Sequence, residues 1–129
     1  MLRSVWNVIE KLQPKNGIKE KNMNECPYFE HQSFPDGDVA YTGNPAGVCM
    51  PEDFLEDAVM QGIASSNKHA ETAFLVKDPT VKDLWSLRWF TPAVEVDLCG
   101  HATLAAAATL FDREAVSAGT VFLLQREDV

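Results

Sequence analysis

Three side chains of this chain are candidates to move a proton. Cys99 and His101 flank Gly100, and Glu71 stands at the mouth of an otherwise apolar run, Thr72-Ala73-Phe74-Leu75. A carboxylate at a strand edge is ordinarily solvated. Packed against a buried helix, Glu71 would be partly desolvated and able to exchange protons near neutral pH. His101 can donate or accept one proton as a neutral imidazole, although a hydrogen-bonded structural histidine is the commoner case. A thiol at a helix N-terminus, the place expected for Cys99, can act as base or nucleophile, while free cysteines are also among the most commonly buried small apolar residues. The residues by themselves leave all three roles open.

The element that must position them follows at once. Residues 102–111, Ala-Thr-Leu-Ala-Ala-Ala-Ala-Thr-Leu-Phe, carry five alanines and no charge, which predicts a helix. With no polar face, that helix is expected to be buried on all sides, its small side chains letting strands wrap closely around it. Gly100 opens it. The first amides of a helix have no intrahelical acceptor and lie at the positive end of its dipole, so the turn over residues 99–103 is a candidate site for an anion such as a carboxylate.

Composition limits what else the chain can be. Its 129 residues, 46% of them apolar, suffice for one core and are too few for two ordinary domains. Nineteen Asp and Glu against eleven Lys and Arg give a net charge of -8, which argues against nucleic acid or an anionic membrane as partner. Cys26, Cys49 and Cys99 form no CxxC pair and have no histidine at zinc-finger spacing, so neither a disulfide framework nor a metal site is expected. Reduced thiols suit the cytoplasm. The start lacks the apolar core of a signal peptide, and no run is long enough to span a bilayer.

Residues 1–25 read as an appended, poorly ordered arm, in which Val5, Val8, Ile9 and Leu12 could line a short helix. Residues 26–129 read as the folded domain. Strands are expected over 28–34, 39–42 and 46–50, with a reversal at 35–38 and a bend at Asn44-Pro45. A peripheral amphipathic helix should open at Pro51-Glu52-Asp53 and run to Ser66-Asn67, with Leu55, Val59 and Ile63 on its inner side. Strands over 72–77 and 84–91, joined through Asp78-Pro79 and stopped by Pro92, precede the alanine helix, and a β-rich run over 119–126 follows it.

Five blocks carry a resemblance. Gly43-Asn44-Pro45-Ala46-Gly47-Val48-Cys49, Met60-Gln61-Gly62-Ile63-Ala64, Glu71-Thr72-Ala73-Phe74, Arg88-Trp89-Phe90-Thr91-Pro92 and Glu95-Val96-Asp97-Leu98-Cys99-Gly100-His101-Ala102-Thr103-Leu104-Ala105 are similar, in order and spacing, to the signature blocks of the phenazine-biosynthesis PhzF-like family. The resemblance runs from about Phe29 to the end. It implies an α+β, diaminopimelate-epimerase-like half, a mixed β-sheet wrapped around a central helix. It also implies a cofactor-independent, metal-free isomerase that moves a proton on a small cyclic carboxylic acid. On that resemblance Glu71 is the catalytic acid/base, His101 assists it, and the amides around Gly100 and Ala102 bind the substrate carboxylate. Cys99 is the alternative catalytic group, because related families with this fold use a cysteine beside a glycine at the helix start.

The sequence departs from the family at Ala70, where a serine is common, and at His31-Gln32-Ser33-Phe34, where Val-Asp-Ala-Phe is frequent. Family members also run to roughly twice this length, as expected when a chain outgrows one core and divides into domains. The 129 residues alone are therefore expected to lack efficient turnover and to expose an apolar face through which a homodimer could form. A non-catalytic binding module with the same fold, or a cysteine-based racemase or epimerase, are the competing readings.

Overall fold

Along Glu71–Lys77, Ala73 and Leu75 point to one side and Thr72, Phe74 and Val76 to the other, and all five are buried. A strand buried on both faces needs cover on both, and the two helices supply it. The computed structural model describes residues 2–4, 26–34, 36–37, 43–114 and 119–127. Its elements in chain order are β1 (Leu2–Ser4), β2 (Pro27–Ser33), β3 (Asn44–Cys49), α1 (Asp57–Asn67), β4 (Glu71–Lys77), β5 (Leu84–Phe90), β6 (Glu95–Val96), α2 (Gly100–Arg113) and β7 (Leu123–Arg126).

The strands form one mixed sheet in the order β1-β2-β3-β4-β5-β6. The far edge of β5 is shared: β6 pairs with Trp89 and Phe90, while β7 runs parallel to Leu84 through Leu87. The two parallel pairs, β3 with β4 and β5 with β7, are those joined through helices, since a tight turn can connect only antiparallel neighbours. α1 covers one face with Val59, Met60, Ile63 and Ala64 against Tyr28, Cys49, Phe74 and Phe90. α2 covers the other with Ala102, Ala105, Ala106 and Leu110 against Phe29, Val48, Leu75, Leu87 and Trp89. The architecture is α+β, as the sequence implies.

The central helix is not enclosed on every side. Its buried residues, Ala102, Ala105, Ala106, Thr109 and Leu110, follow the helical period, while Leu104 and Phe111 are 50% and 51% exposed. An uncharged outer face was indistinguishable from a buried one by composition, and the sheet lies against one side only.

Other boundaries also move. α1 begins at Asp57, not at Pro51, with Val59 and Met60 amides bonded to the Glu56 carbonyl. Phe54 lies against the Arg88 guanidinium, which also holds Asp57 at 2.9 Å, so the segment before the helix is tied to β5 instead of coiling. Asn44 and Pro45 are no bend; they open β3 opposite Ser33 and Gln32, where β4 has not yet begun and a proline without N–H is tolerated. The short β6 was not foreseen. The expected strand over 39–42 and the helix within 5–12 lie outside the described residues. Of the expected arm, Leu2–Ser4 pairs antiparallel with β2.

Candidate functional site

Glu71 is set by the end of α1. Lys68 adopts a left-handed conformation there (φ 58°), which stops the helix and turns the chain into β4. Glu71 then pairs with Ala46 and takes the same side of the sheet as Ala73 and Leu75, the side that α2 covers.

The start of α2 is pinned from three directions. The Thr103 amide and hydroxyl both donate to the Cys99 carbonyl, at 3.0 and 2.7 Å. Trp89 Nε1 on β5 donates to the Thr103 hydroxyl at 3.1 Å. The Ser33 hydroxyl, at the end of β2, donates to the His101 carbonyl at 3.0 Å. Cys99 is thereby fixed as the extended residue that precedes the helix, and His101 as its second residue.

These constraints bring Glu71, Cys99 and His101 together, and one ligating atom from each lies within 4.8 Å of the others. His101 Nε2 is 3.0 Å from Glu71 Oε2, and His101 Nδ1 is 3.3 Å from Cys99 Sγ. The side chains of His101 and Glu71 are 12% and 20% exposed. Their facing atoms are close enough for an ion pair, yet neither makes a directed hydrogen bond and both are shut off from solvent. The two atoms touch without a directed hydrogen bond, which leaves both with bonding capacity to spare.

Burial pushes the Cys99 thiol above its ordinary range, and the Glu71 carboxylate pushes the same way, while hydrogen bonds from the Ala102 and His101 amides pull it down. The net direction is opposite to the activation that a helix N-terminus favours. Cys99 stays a thiol at neutral pH. Those same hydrogen bonds distinguish the two residues expected to bind a carboxylate. The Ala102 amide is engaged with the sulfur and the residue is fully buried, whereas Gly100 is exposed with open space where a side chain would project.

Ser33, Trp89 and Thr103 were not singled out from sequence. Trp89 and Thr103 lie inside the blocks quoted above, but nothing local marks Ser33, which acts across 68 positions.

The profile of the phenazine biosynthesis-like proteins matches residues 36–127. An uncharacterized isomerase of Pseudomonas aeruginosa is 51% identical over 72 residues, which is 56% of this chain and 26% of that protein. The human phenazine biosynthesis-like domain-containing protein is 51% identical over 57% of this chain and 27% of its own length. A solved PhzF-family protein from Enterococcus faecalis superposes with a TM-score of 0.68 at 42% identity, covering 79% of this chain and 37% of that one. A predicted epimerase from Pseudomonas aeruginosa gives 0.67 at 27% identity, over 75% and 33% of the two chains. The alignments thus span roughly a quarter to a third of the curated relatives.

Proposed function

Because the chain belongs to the phenazine biosynthesis-like family, we propose that it carries the acid/base site of an isomerase that moves a proton on a small cyclic carboxylic acid. The observation supporting this most is the contact between Glu71 and His101 at the N-terminus of α2, both largely withdrawn from water. Relatives named as isomerases and an epimerase agree with the reaction class.

In this reading a substrate carboxylate accepts a hydrogen bond from the open Gly100 amide, at the positive end of the helix dipole. The Ala102 amide joins it only if the Cys99 sulfur swings aside. Glu71 takes a proton from one ring carbon, leaving the electron pair in the conjugated acid, and returns the proton to another carbon. His101 Nε2, facing the carboxylate, supports it before the first transfer and after the second, while Glu71 is neutral between them and the charge resides on the conjugated acid. No metal or cofactor takes part. The setting is cytoplasmic, where Cys26, Cys49 and Cys99 remain free thiols.

Cys99 lies 3.3 Å from His101 and could replace Glu71 in a thiol mechanism, but burial keeps it protonated. The test, on a two-domain version of the length of its relatives, is incorporation of solvent deuterium into a panel of small cyclic carboxylic acids, followed by NMR. Incorporation that survives Cys99→Ser agrees with the proposal. Loss on Cys99→Ser alone gives the thiol mechanism, and carboxylate binding without incorporation leaves a binding module.

A further inference from the structure

The donor set at the head of α2 is mixed: one thiol sulfur, one imidazole nitrogen and one carboxylate oxygen, all within 4.8 Å of one another. Around a tetrahedral zinc ion, with bonds of about 2.0–2.3 Å, neighbouring ligand atoms lie roughly 3.3–3.6 Å apart. The two contacts seen here, 3.0 Å from Nε2 to Glu71 and 3.3 Å from Nδ1 to Cys99, are made by opposite nitrogens of one ring, so a single ion takes all three side chains once the imidazole turns to aim one nitrogen between the sulfur and the carboxylate. Glu71 Oε2 and His101 Nε2 are buried and make no directed hydrogen bond, so their lone pairs are not committed elsewhere. The backbone carrying two of the ligands is fixed by Ser33 and Thr103, and the third sits on a central strand. Gly100, beside them, is exposed and brings no side chain to crowd the head of the helix.

We propose that Glu71, Cys99 and His101 bind a borderline-soft divalent transition-metal ion, with zinc the best match, and that the ion shuts the site. Sulfur and nitrogen donors disfavour calcium and magnesium, which take oxygen ligands. Binding converts the Cys99 thiol to a thiolate and releases its proton to solvent. One thiolate and one carboxylate then neutralise the two charges of the ion. Only the inhibitory consequence rests on the isomerase reading: a carboxylate held by the metal cannot carry a proton. The binding itself needs no turnover.

Cobalt(II), titrated into the 129-residue chain near neutral pH, reports the site directly. The expected result is stoichiometric binding with a sulfur-to-cobalt charge-transfer band in the near ultraviolet, bleached by added zinc and accompanied by proton release. Cys99→Ser should remove the band, whereas Cys26→Ser and Cys49→Ser should keep it. Glu71→Gln, checked for folding by circular dichroism, should weaken binding by more than about tenfold, a loss that even outer-shell partners can cause. His101→Gln serves the same purpose if the cysteine variant does not fold. Absence of the band in the wild type, its persistence in Cys99→Ser, or its dependence on Cys26 or Cys49 overturns the inference, whatever the isotope-exchange result.

Discussion

Gly47 sits in the middle of β3, between Glu30 of β2 and Thr72 of β4, and its missing side chain lets the Tyr28 ring lie across the strand. A Cβ at this position would stand 2.8 Å from both Tyr28 Cε2 and Tyr28 Oη, and 3.2 Å from Asn67 Nδ2. Ordinary contact needs more than half an ångström beyond that, by roughly the spacing of packed carbon atoms of ~3.5–4.0 Å. Tyr28 has little room to retreat, being 3% exposed and tied through its hydroxyl to Glu30. Overpacking of this kind costs about 1–3 kcal/mol. Replacing glycine also removes unfolded-state freedom worth about 0.4–1 kcal/mol in the opposite direction. Gly47→Ala should therefore destabilise by a net ~1.3 kcal/mol at the midpoints of the two ranges, and by at most ~2.6 kcal/mol. With an unfolding entropy of about 2.1 cal/mol/K per residue over the chain, near 0.27 kcal/mol/K, the melting temperature should fall by about 5 °C, and by at most about 10 °C. Differential scanning calorimetry reads this, and Tyr28→Leu in the same chain should recover much of the loss. A Gly47→Ala protein that melts at or above the parent temperature refutes the packing argument.

Cys99 should react slowly with iodoacetamide at neutral pH and speed up only above the usual thiol range, because burial and Glu71 both favour the protonated form. Glu71→Gln should accelerate it at a fixed pH, and an unchanged rate would show that the carboxylate does not act on the sulfur. Arg88, 5% exposed, donates to both Glu95 oxygens at 2.8 and 2.7 Å and to Asp57 at 2.9 Å. Arg88→Met should cost about 1–3 kcal/mol in denaturant melts, less than a fully buried pair because Asp57 is exposed and rehydrates; no loss would remove its role in placing α1. Leu98, Leu104 and Phe111 present apolar surface around α2, so sedimentation velocity should show concentration-dependent self-association that Leu104→Glu reduces. A monomer at every concentration would exclude that interface.

The sheet was legible because its strands carry their own punctuation. Asp78 accepts hydrogen bonds from the Thr80 and Val81 amides, making the turn that Asp78-Pro79 announces, and Leu84–Phe90 follows it as the residues suggest. The start of α1 was not legible, since it depends on Arg88 reaching Phe54 and Asp57 from a strand beyond the helix. Likewise the alanines over 105–108 predict a helix but not which side is covered, because alanine suits either environment. At the site, Cys99 and His101 are neighbours in sequence, whereas their meeting with Glu71 required the β3–β4 register and the docking of α2. Long-range contacts set both the burial that keeps Cys99 protonated and the Ser33 bond that holds His101. Neither has a local signature.

The central claim is that Glu71 carries the proton. The most direct measurement is the rate at which a bound cyclic carboxylic acid exchanges a ring proton for solvent deuterium, compared at equal occupancy between a two-domain version of the protein, of the length of its relatives, and its Glu71→Gln and Cys99→Ser variants. The account predicts that Glu71→Gln slows exchange by about 100-fold to 10,000-fold while Cys99→Ser retains most of it. Equal exchange by Glu71→Gln, or none from the two-domain parent with the acid bound, would contradict it.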